Sequence, residues 1–377
     1  MNDKEQEFDG KVIPLETTYG KWQREEGIPT YTGFWIDLAK VELGYWPRKE
    51  CLGAYINLAD QESLDAYVAE MAPGKHTATE RHMYEETIYI LKGRGTTTIW
   101  YDGMPKQTIE WQEGSLFSPP LNCWHQHFNA DANQTARYVA VTSAPLYTNL
   151  FHSKDFIYNN PFRFDDRYRA GEGDFSEMGV EIAVSIPDAE RAAQRNRLNR
   201  IWKTNFIRDV SRFDRLTQNR YMYADGSSKS KHFGLSENTM AGHIVESQSG
   251  YYKKAHRHGP GAHLIIVHGR GYSLIWEDGR ERVRVDWSPG IMLSPPDMWW
   301  HQHFSTGREP TRQLALRWAN MGEYIGTTNW KRYSEDFGEQ IAFEDEDPEI
   351  RKTFEKECQA NGVEIKMPPV VYRDRHI

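Results

Sequence analysis

The sequence is poor in cysteine and has no long apolar run. Its three cysteines, Cys51, Cys123 and Cys358, are far apart and form no CxxC pair, so they give no disulfide framework and fit a reducing compartment. No apolar stretch approaches the roughly 20 residues that a membrane-spanning helix needs. The amino end, MNDKEQEFDGKVIP, is acidic and polar, which predicts neither a signal peptide nor a transit peptide. We therefore expect a cytoplasmic protein without membrane contact.

The chain also lacks an excess of positive charge. The chain has 46 Lys and Arg against 54 Asp and Glu, a net charge of -8, which argues against a nucleic-acid partner. Aromatic residues, in contrast, are abundant: 13 Trp, 20 Tyr and 16 Phe make up 13% of the 377 residues. This composition excludes a disordered chain, and the length favours two domains.

Two stretches of the chain repeat one another at a distance of 176 residues. Residues 93–129 and 269–305 align without a gap and share 17 identities in 37 positions, and the register pairs His125 with His301. Each copy has Asp-Gly after a run of β-branched and aromatic residues, which indicates a hairpin. The repeat therefore predicts two copies of one all-β domain, each a small barrel or jelly roll.

The repeat also predicts how the chain is divided. We expect an N-terminal extension at residues 1–50, a first domain at 51–145, a connecting segment at 146–235, a second domain at 236–325 and a C-terminal extension at 326–377. Within the connection, residues 189–202 have acidic residues first and basic residues last, which predicts a helix. Residues 225–231, DGSSKSK, predict a flexible loop. Asp347-Pro348 opens a second predicted helix, which Asn361-Gly362 closes.

Three histidines of the second copy have the spacing of a metal site. His256 and His258 are two residues apart on a predicted strand, so their side chains point to the same face. His301 arrives from a later strand and can complete the set. Because imidazole suits Fe, Zn, Cu and Ni, these three residues are the predicted metal ligands.

Residues near these histidines are candidates for contact with a substrate. Trp276, Met298 and Trp300 are predicted to line the pocket, with barrel packing or a dimer surface as the alternative for Trp300. His303 lies two residues after the last ligand, where it can act as an acid or base or form a supporting hydrogen bond. Arg317, on the following strand, can meet a substrate carboxylate bidentately or form a salt bridge.

The first copy departs from this pattern. The register places Glu80 where the first histidine belongs, and the resulting set is Glu80, His82, Glu86 and His125. Two carboxylates and two imidazoles make a harder site, which suits Mn or Fe. The alternative is a metal-free structural barrel in which Glu80 pairs with Arg81 or another base.

The spacing resembles the two cupin motifs, G-x5-H-x-H-x3–4-E-x6-G and G-x5-P-x-G-x2-H-x3-N, and two copies make a bicupin. The second copy resembles the gentisate-type ring-cleaving dioxygenases in its His256-Arg-His258 sequence, in Ala262 where other cupins have Glu, and in the run from Pro296 to His303. Met298 departs from that group, which has Trp there. The resemblance implies an all-β bicupin with a few peripheral helices, a bound metal and a homo-oligomer.

The ligand count indicates a reaction. Three neutral imidazoles leave a divalent ion with three open positions, which a chelating substrate and dioxygen can share. We therefore predict an Fe(II)-dependent dioxygenase, with Mn, Ni and Zn as alternative metals, that cleaves a C–C bond in a small hydroxylated aromatic acid or a similar chelating substrate. The absence of a carboxylate at Ala262 favours substrate chelation, although His263 could take that place if the loop holds an extra residue.

Two other functions remain open at this point. One is an oxygen-independent lyase, isomerase or decarboxylase that uses the metal as a Lewis acid. The other is a bicupin that binds a small molecule without catalysis, because cupins host many unrelated activities.

Overall fold

The structure, a computed structural model, describes residues 16–168, 175, 179–184, 199–219, 227–258, 261–318 and 339–373. The helices in this part of the chain are short and peripheral: α1 (Thr18–Glu26), α2 (Ala144–Phe151), α3 (Lys154–Tyr158) and α4 (Pro348–Asn361), with 3-10 turns at Val210–Arg212 and Phe343–Asp345. Among the described residues, none of the helices is long and apolar enough to cross a membrane.

The first barrel consists of a large and a small sheet. Its strands and their neighbours are β1 (Thr30–Gly33), β2 (Trp35–Asp37), β3 (Gly44–Trp46), β4 (Cys51–Leu58), β5 (Asp65–Met71), β6 (Glu86–Lys92), β7 (Arg94–Trp100), β8 (Gln107–Gln112), β9 (Leu116–Phe117), β10 (Trp124–Asn129) and β11 (Ala136–Thr142). The large sheet has the order β1-β4-β5-β11-β6-β9, with β3 beside β4, and the small sheet has the order β10-β7-β8.

The second barrel repeats this arrangement. The remaining strands are β12 (Val180–Val184), β13 (Asn199–Thr204), β14 (Phe206–Ile207), β15 (Thr217–Asn219), β16 (Ser228–Leu235), β17 (Met240–Ser247), β18 (Tyr251–Tyr252), β19 (His256–Arg257), β20 (Ala262–His268), β21 (Gly271–Trp276), β22 (Val283–Trp287), β23 (Ile291–Leu293), β24 (Trp300–Ser305), β25 (Thr311–Trp318) and β26 (Glu339–Gln340). The large sheet runs β12-β13-β16-β17-β25-β20-β23, and the small one runs β22-β21-β24-β19-β26.

Each large sheet receives a strand from outside its own repeat. β2, in the predicted N-terminal extension, pairs antiparallel with β23 of the second barrel. β14, in the predicted connection, pairs antiparallel with β9 of the first barrel. The segments that flank the repeats therefore complete the two barrels.

The large sheets are buried on both faces, because they pack against each other and also close their own barrels. On β25, Leu314 and Leu316 belong to the core that the two barrels share, whereas Gln313, Ala315 and Arg317 face the interior of the second barrel. This alternation follows from the two-residue period of a strand. Each fully buried leucine contributes about 1.5–3 kcal/mol to stability, so the outward face holds the barrels together and leaves the inward face for chemistry.

The structure confirms the predicted all-β architecture of two barrels with peripheral helices. It also has the helix predicted from Asp347-Pro348, where Asp347 accepts from the Glu349 amide at 3.0 Å. A helix is predicted over residues 189–202, but residues 199–202 belong to β13, so the prediction is wrong there. Residues 185–198 lie outside the described part of the chain. β13 pairs in parallel with β16, and this pairing overrides the local helical pattern. Residues 228–231 of the predicted loop are likewise part of β16.

Candidate metal centre and cavity

Two strands of the small sheet bring the three predicted ligands of the second barrel together. In the pairing of β19 with β24, His256 lies directly opposite His301. His258 follows two residues after His256. One ring nitrogen of each histidine lies within 4.8 Å of the other two. His256 and His301 are buried and His258 is half-buried, so the three side chains could hold one metal ion.

Hydrogen bonds on the far nitrogens set the tautomers of two of these rings. Nδ1 of His256 is 3.0 Å from the Lys254 carbonyl oxygen, and Nδ1 of His301 is 3.0 Å from the Trp299 carbonyl oxygen. A carbonyl only accepts, so each Nδ1 carries the hydrogen and each Nε2 presents a lone pair. Burial lowers the pKa of His301 to about 3 and holds the pKa of His256 well below its ordinary value. Neutral rings that carry the lone pair on Nε2 are the form that binds a divalent metal.

A cavity opens onto these histidines and is rich in basic groups. Besides the three ligands, it is lined by His243, Val245, Lys253, Gly261, Ala262, Leu264, Pro295, Pro296, His303, Gln313, Ala315 and Arg317. The Lys253 Nζ lies 3.0 Å from Nε2 of His256. Burial, and after it the charge of Arg317, lowers the pKa of Lys253 to about 7. No aspartate or glutamate is among the described residues that line the cavity.

A buried chain of hydrogen bonds holds His303. The indole nitrogen of Trp287 donates to Ser273 Oγ at 3.0 Å, and this oxygen is 2.8 Å from Nδ1 of His303. The indole can only donate and Ser273 is fully buried, so the hydroxyl hydrogen is left for Nδ1 of His303. His303 therefore carries its hydrogen on Nε2, the opposite tautomer to the ligand histidines. The first barrel has the same chain at the positions 176 residues earlier.

The three side chains that the sequence predicted as pocket-lining lie outside the cavity. Side chains alternate along β24, so Trp300 points away from the face of the two histidines on that strand. It stacks on Trp276 at 6.4 Å between ring centroids, and its indole nitrogen donates to Asp278 at 2.6 Å. Met298 is 43% exposed. Because Trp300 is adjacent to His301 on the strand, its side chain lies on the opposite face and does not line the cavity as predicted.

Three polar residues that line the cavity were not predicted from the sequence, namely Lys253, His243 and Gln313. For Gln313 a signal was present, because it lies four residues before Arg317 on β25 and so shares its face. Lys253 and His243 belong to no motif, and their approach to the centre depends on how the strands pair.

His263, the alternative ligand, lies outside the cavity and outside the histidine cluster. Its side chain points to the core side of β20, is fully buried, and has no hydrogen-bond partner on either ring nitrogen. Burial lowers the pKa of His263 to about 4. The folded ring thus stays neutral where an unfolded histidine, with a pKa near 6.5, already takes up a proton.

This difference gives a pH dependence of stability. Between pH 7.5 and pH 5 the unfolded chain gains a proton at His263 and the folded chain does not, so this residue alone lowers the free energy of unfolding by about 2 kcal/mol. His263→Leu removes this contribution and is expected to lose less stability over the same interval. Urea unfolding at both pH values measures the difference. Equal losses for the two proteins would contradict the buried neutral ring.

The first barrel brings together three of the four residues predicted there. Ring nitrogens of His82 and His125 and a carboxylate oxygen of Glu86 lie within 4.8 Å of one another. Nδ1 of His82 is 2.7 Å from the Tyr84 carbonyl oxygen and Nδ1 of His125 is 3.1 Å from the Cys123 carbonyl oxygen. The Nε2 atoms of His82 and His125 lie 3.6 and 3.2 Å from one Glu86 oxygen, and these three buried atoms form no hydrogen bond among the described residues. Such converging unpaired atoms fit a divalent metal ion.

Glu80, the fourth predicted residue, is bound by two cations. The buried Lys49 ammonium contacts one carboxylate oxygen, and Arg48 donates to the other at 3.0 Å. Burial would raise the pKa of Glu80, but Lys49 and its other partners hold it well below its ordinary value. Arg81, the partner suggested by the sequence, instead lies 3.6 Å from Asp102. Glu80 is thus held mainly by two cations, although one of its carboxylate oxygens also lies 3.7 Å from Nε2 of His125.

Comparison with known protein families matches the first barrel to the cupin domain. Residues 67–142 match the family model of the cupin domain, and the second barrel repeats that domain in sequence and topology. The fold is therefore a bicupin, with clusters of side chains capable of binding metal in both barrels.

Curated relatives match over part of the chain. Auxin-binding protein 4 of Zea mays is 28% identical over 104 residues, which cover 26% of this chain and 48% of that protein. Auxin-binding protein 5 of Zea mays is 31% identical over 70 residues, which cover 17% of this chain and 46% of that protein. The chain thus spans about half the length of the curated relatives it matches.

Solved structures are similar over most of the chain at low identity. A formate complex of Lactobacillus farciminis oxalate decarboxylase has a TM-score of 0.49 and 12% identity, covering 78% of this chain and 88% of that one. A mutant of Bacillus subtilis oxalate decarboxylase has a TM-score of 0.49 and 12% identity, covering 98% of both chains. Vicilin of Corylus avellana has a TM-score of 0.46 and 10% identity, covering 75% and 84%. At this level the likeness concerns the fold alone.

Proposed function

We propose that this chain is a metal-dependent enzyme that acts on a small chelating carboxylate in the second barrel. The observation that carries the proposal is the convergence of His256, His258 and His301 on a cavity that also contains Lys253 and Arg317. The histidines would hold Fe(II), or Mn, Ni or Zn in its place. A bound metal would orient a chelating substrate and accept electron density from it.

Other residues of the cavity are placed to bind the substrate and to transfer a proton. Arg317 is placed to bind a substrate carboxylate, because its planar guanidinium forms two parallel hydrogen bonds with a carboxylate. His303 presents an N–H to the cavity and can donate a hydrogen bond or pass a proton. The walls on the proline and leucine side are apolar and limit access of water.

The side chains of the cavity best suit an oxygen-independent lyase, isomerase or decarboxylase. These reactions move a proton to or from carbon. His303 and Lys253 are two proton-carrying groups that line the same cavity as the ligands. In this reaction the metal would act as a Lewis acid.

An Fe(II)-dependent dioxygenase that cleaves a C–C bond in a small hydroxylated aromatic acid is the second candidate. Ala262 favours it, because the cluster has no carboxylate ligand among the described residues and a metal there would keep three open positions. Substrate and dioxygen could then both reach the centre.

Metal analysis and an oxygen test distinguish these functions. Elemental analysis of anaerobically purified protein gives the metal and the number of ions per chain. Small dicarboxylates and hydroxylated aromatic acids are then supplied with and without air. Turnover under nitrogen supports the oxygen-independent enzyme, and oxygen uptake with ring cleavage supports the dioxygenase. A protein that binds these acids but lacks metal and turnover would be a binding bicupin, and the enzyme proposal would fall.

We also propose that the first barrel binds a second metal ion through His82, Glu86 and His125. Glu86→Gln is expected to lower the metal content from two ions per chain to one, because the amide is a weaker and neutral ligand. Turnover at the second barrel should persist. Elemental analysis measures the change, and Glu110→Gln, at an exposed position, is the control. An unchanged metal content would refute the second site.

The proposal includes a cytoplasmic, homo-oligomeric protein. All three cysteines are free and buried, as expected for a reducing compartment. Tyr45, Phe162 and Leu150 expose 59–70% of their surface, and such apolar side chains favour association with a second copy. Light scattering after size-exclusion chromatography measures the oligomeric state.

A further inference from the structure

The two barrels differ in charge at one pair of facing positions. In the first barrel, Glu86 lies opposite Thr142 on the neighbouring strand. At the corresponding place in the second barrel, Ala262 lies opposite Arg317. The second barrel has therefore lost a carboxylate and gained a guanidinium, a change of two positive charges at one place beside the histidine cluster.

This difference leaves the second cavity with positive charge and with no carboxylate among the described residues that line it. Residues opposite each other on neighbouring strands point to the same face, and both Ala262 and Arg317 line the cavity. Lys253 lines it as well, and no carboxylate of the described residues does so. Lys253 and Arg317 are half-buried, and cations that have lost part of their hydration are stabilised when an anion joins them. A bound divalent metal would add further positive charge.

We propose that the second barrel is built for a small dianion, of which one carboxylate takes the place that Glu86 has in the first barrel. That carboxylate lies between the three histidines and Arg317. The second anionic group of the same molecule pairs with Lys253, so a dicarboxylate is the substrate class. This inference rests on the proposed function, because it assigns the substrate of the same site.

The affinity of the metal-loaded protein for malonate tests the inference without any turnover. The Zn(II)-loaded protein is titrated with malonate and with acetate in a calorimeter, and malonate is expected to bind at least tenfold more tightly. Arg317→Met should weaken malonate binding about 30-fold or more, as loss of one partner of a desolvated charge pair does. Arg317→Lys should recover part of the loss. Arg280→Met, at a side chain 77% exposed, is the matched control and should bind as the unchanged protein.

A second variant tests the place of the carboxylate. Ala262→Glu supplies an internal carboxylate where the substrate's is proposed to lie, so it should retain zinc and lose malonate binding. Equal affinity for malonate and acetate, or unchanged malonate binding in Arg317→Met, would overturn the inference. If the proposed function is wrong, the protein will bind no metal. Malonate binding to the metal-free chain that depends on Arg317 would still support the anion site in that case.

Discussion

Replacement of His301 by alanine is expected to remove the metal ion from the second barrel and abolish turnover. His301 lies opposite His256 in the strand register, and its loss leaves two imidazoles where three are proposed to hold the ion. Two ligands cannot fix both the metal and a substrate in one orientation, so the effect should be complete. Metal content per chain and turnover of the acid found by the substrate screen are the two measurements.

A surface histidine provides the control for this variant. The ring of His268 is half exposed, and its Nε2 lies 3.0 Å from a Glu309 carboxylate oxygen. His268→Ala removes an imidazole of the same size far from the cavity and should leave metal and turnover unchanged. A His301→Ala protein that stays fully active, whether it keeps or loses one metal ion per chain, would refute the assignment of the centre.

Lys49→Met is expected to destabilise the protein by about 3–5 kcal/mol, the usual cost of breaking a buried ion pair from one side. The Lys49 side chain is wholly buried, contacts Glu80 and donates to the Tyr67 hydroxyl at 3.1 Å. Methionine has a similar length but no charge, so Glu80 would keep Arg48 as its remaining cationic partner. The free energy of unfolding in urea measures the loss.

The double variant Lys49→Met, Glu80→Gln shows whether the loss of stability comes from the Glu80 carboxylate that no longer has Lys49 as a partner. With both charges removed, the protein should be more stable than the single Lys49→Met variant. Lys21→Met, at a side chain 59% exposed, is the control and should change stability by less than about 0.5 kcal/mol. If Lys49→Met costs no more than Lys21→Met, the buried pair does not stabilise the barrel.

The parts of the structure that follow from local rules could be predicted from the sequence. The repeat predicted two similar all-β domains because matched turns and strand residues imply matched folds. The spacing of His256 and His258 predicted a common face because a strand has a period of two. The same rule places Trp300, the neighbour of His301, on the opposite face of its strand. The prediction that Trp300 contacts the substrate was therefore inconsistent with the two-residue period that was used for the histidines.

The remaining features depend on contacts between distant residues. Nothing in the sequence around Lys49 indicates that it binds Glu80, because the two are joined only by the closure of the barrel. The proximity of Lys253 to His256 depends on the turn between their strands. The strand pairing of residues 199–202 is likewise a tertiary contact, and it overrides a local pattern that favours a helix.

The strands that each barrel receives from outside its repeat make the two halves one folding unit. A chain cut near residue 145 would give a first barrel without β14 and would expose the apolar face that the large sheets share, including Ile56, Val68 and Val139. The other fragment would lack β2 at the edge formed by β23. The two repeats are therefore expected not to fold when they are separated from each other. A destabilising change in the first barrel is therefore expected to reduce the population of correctly folded histidine clusters in the second.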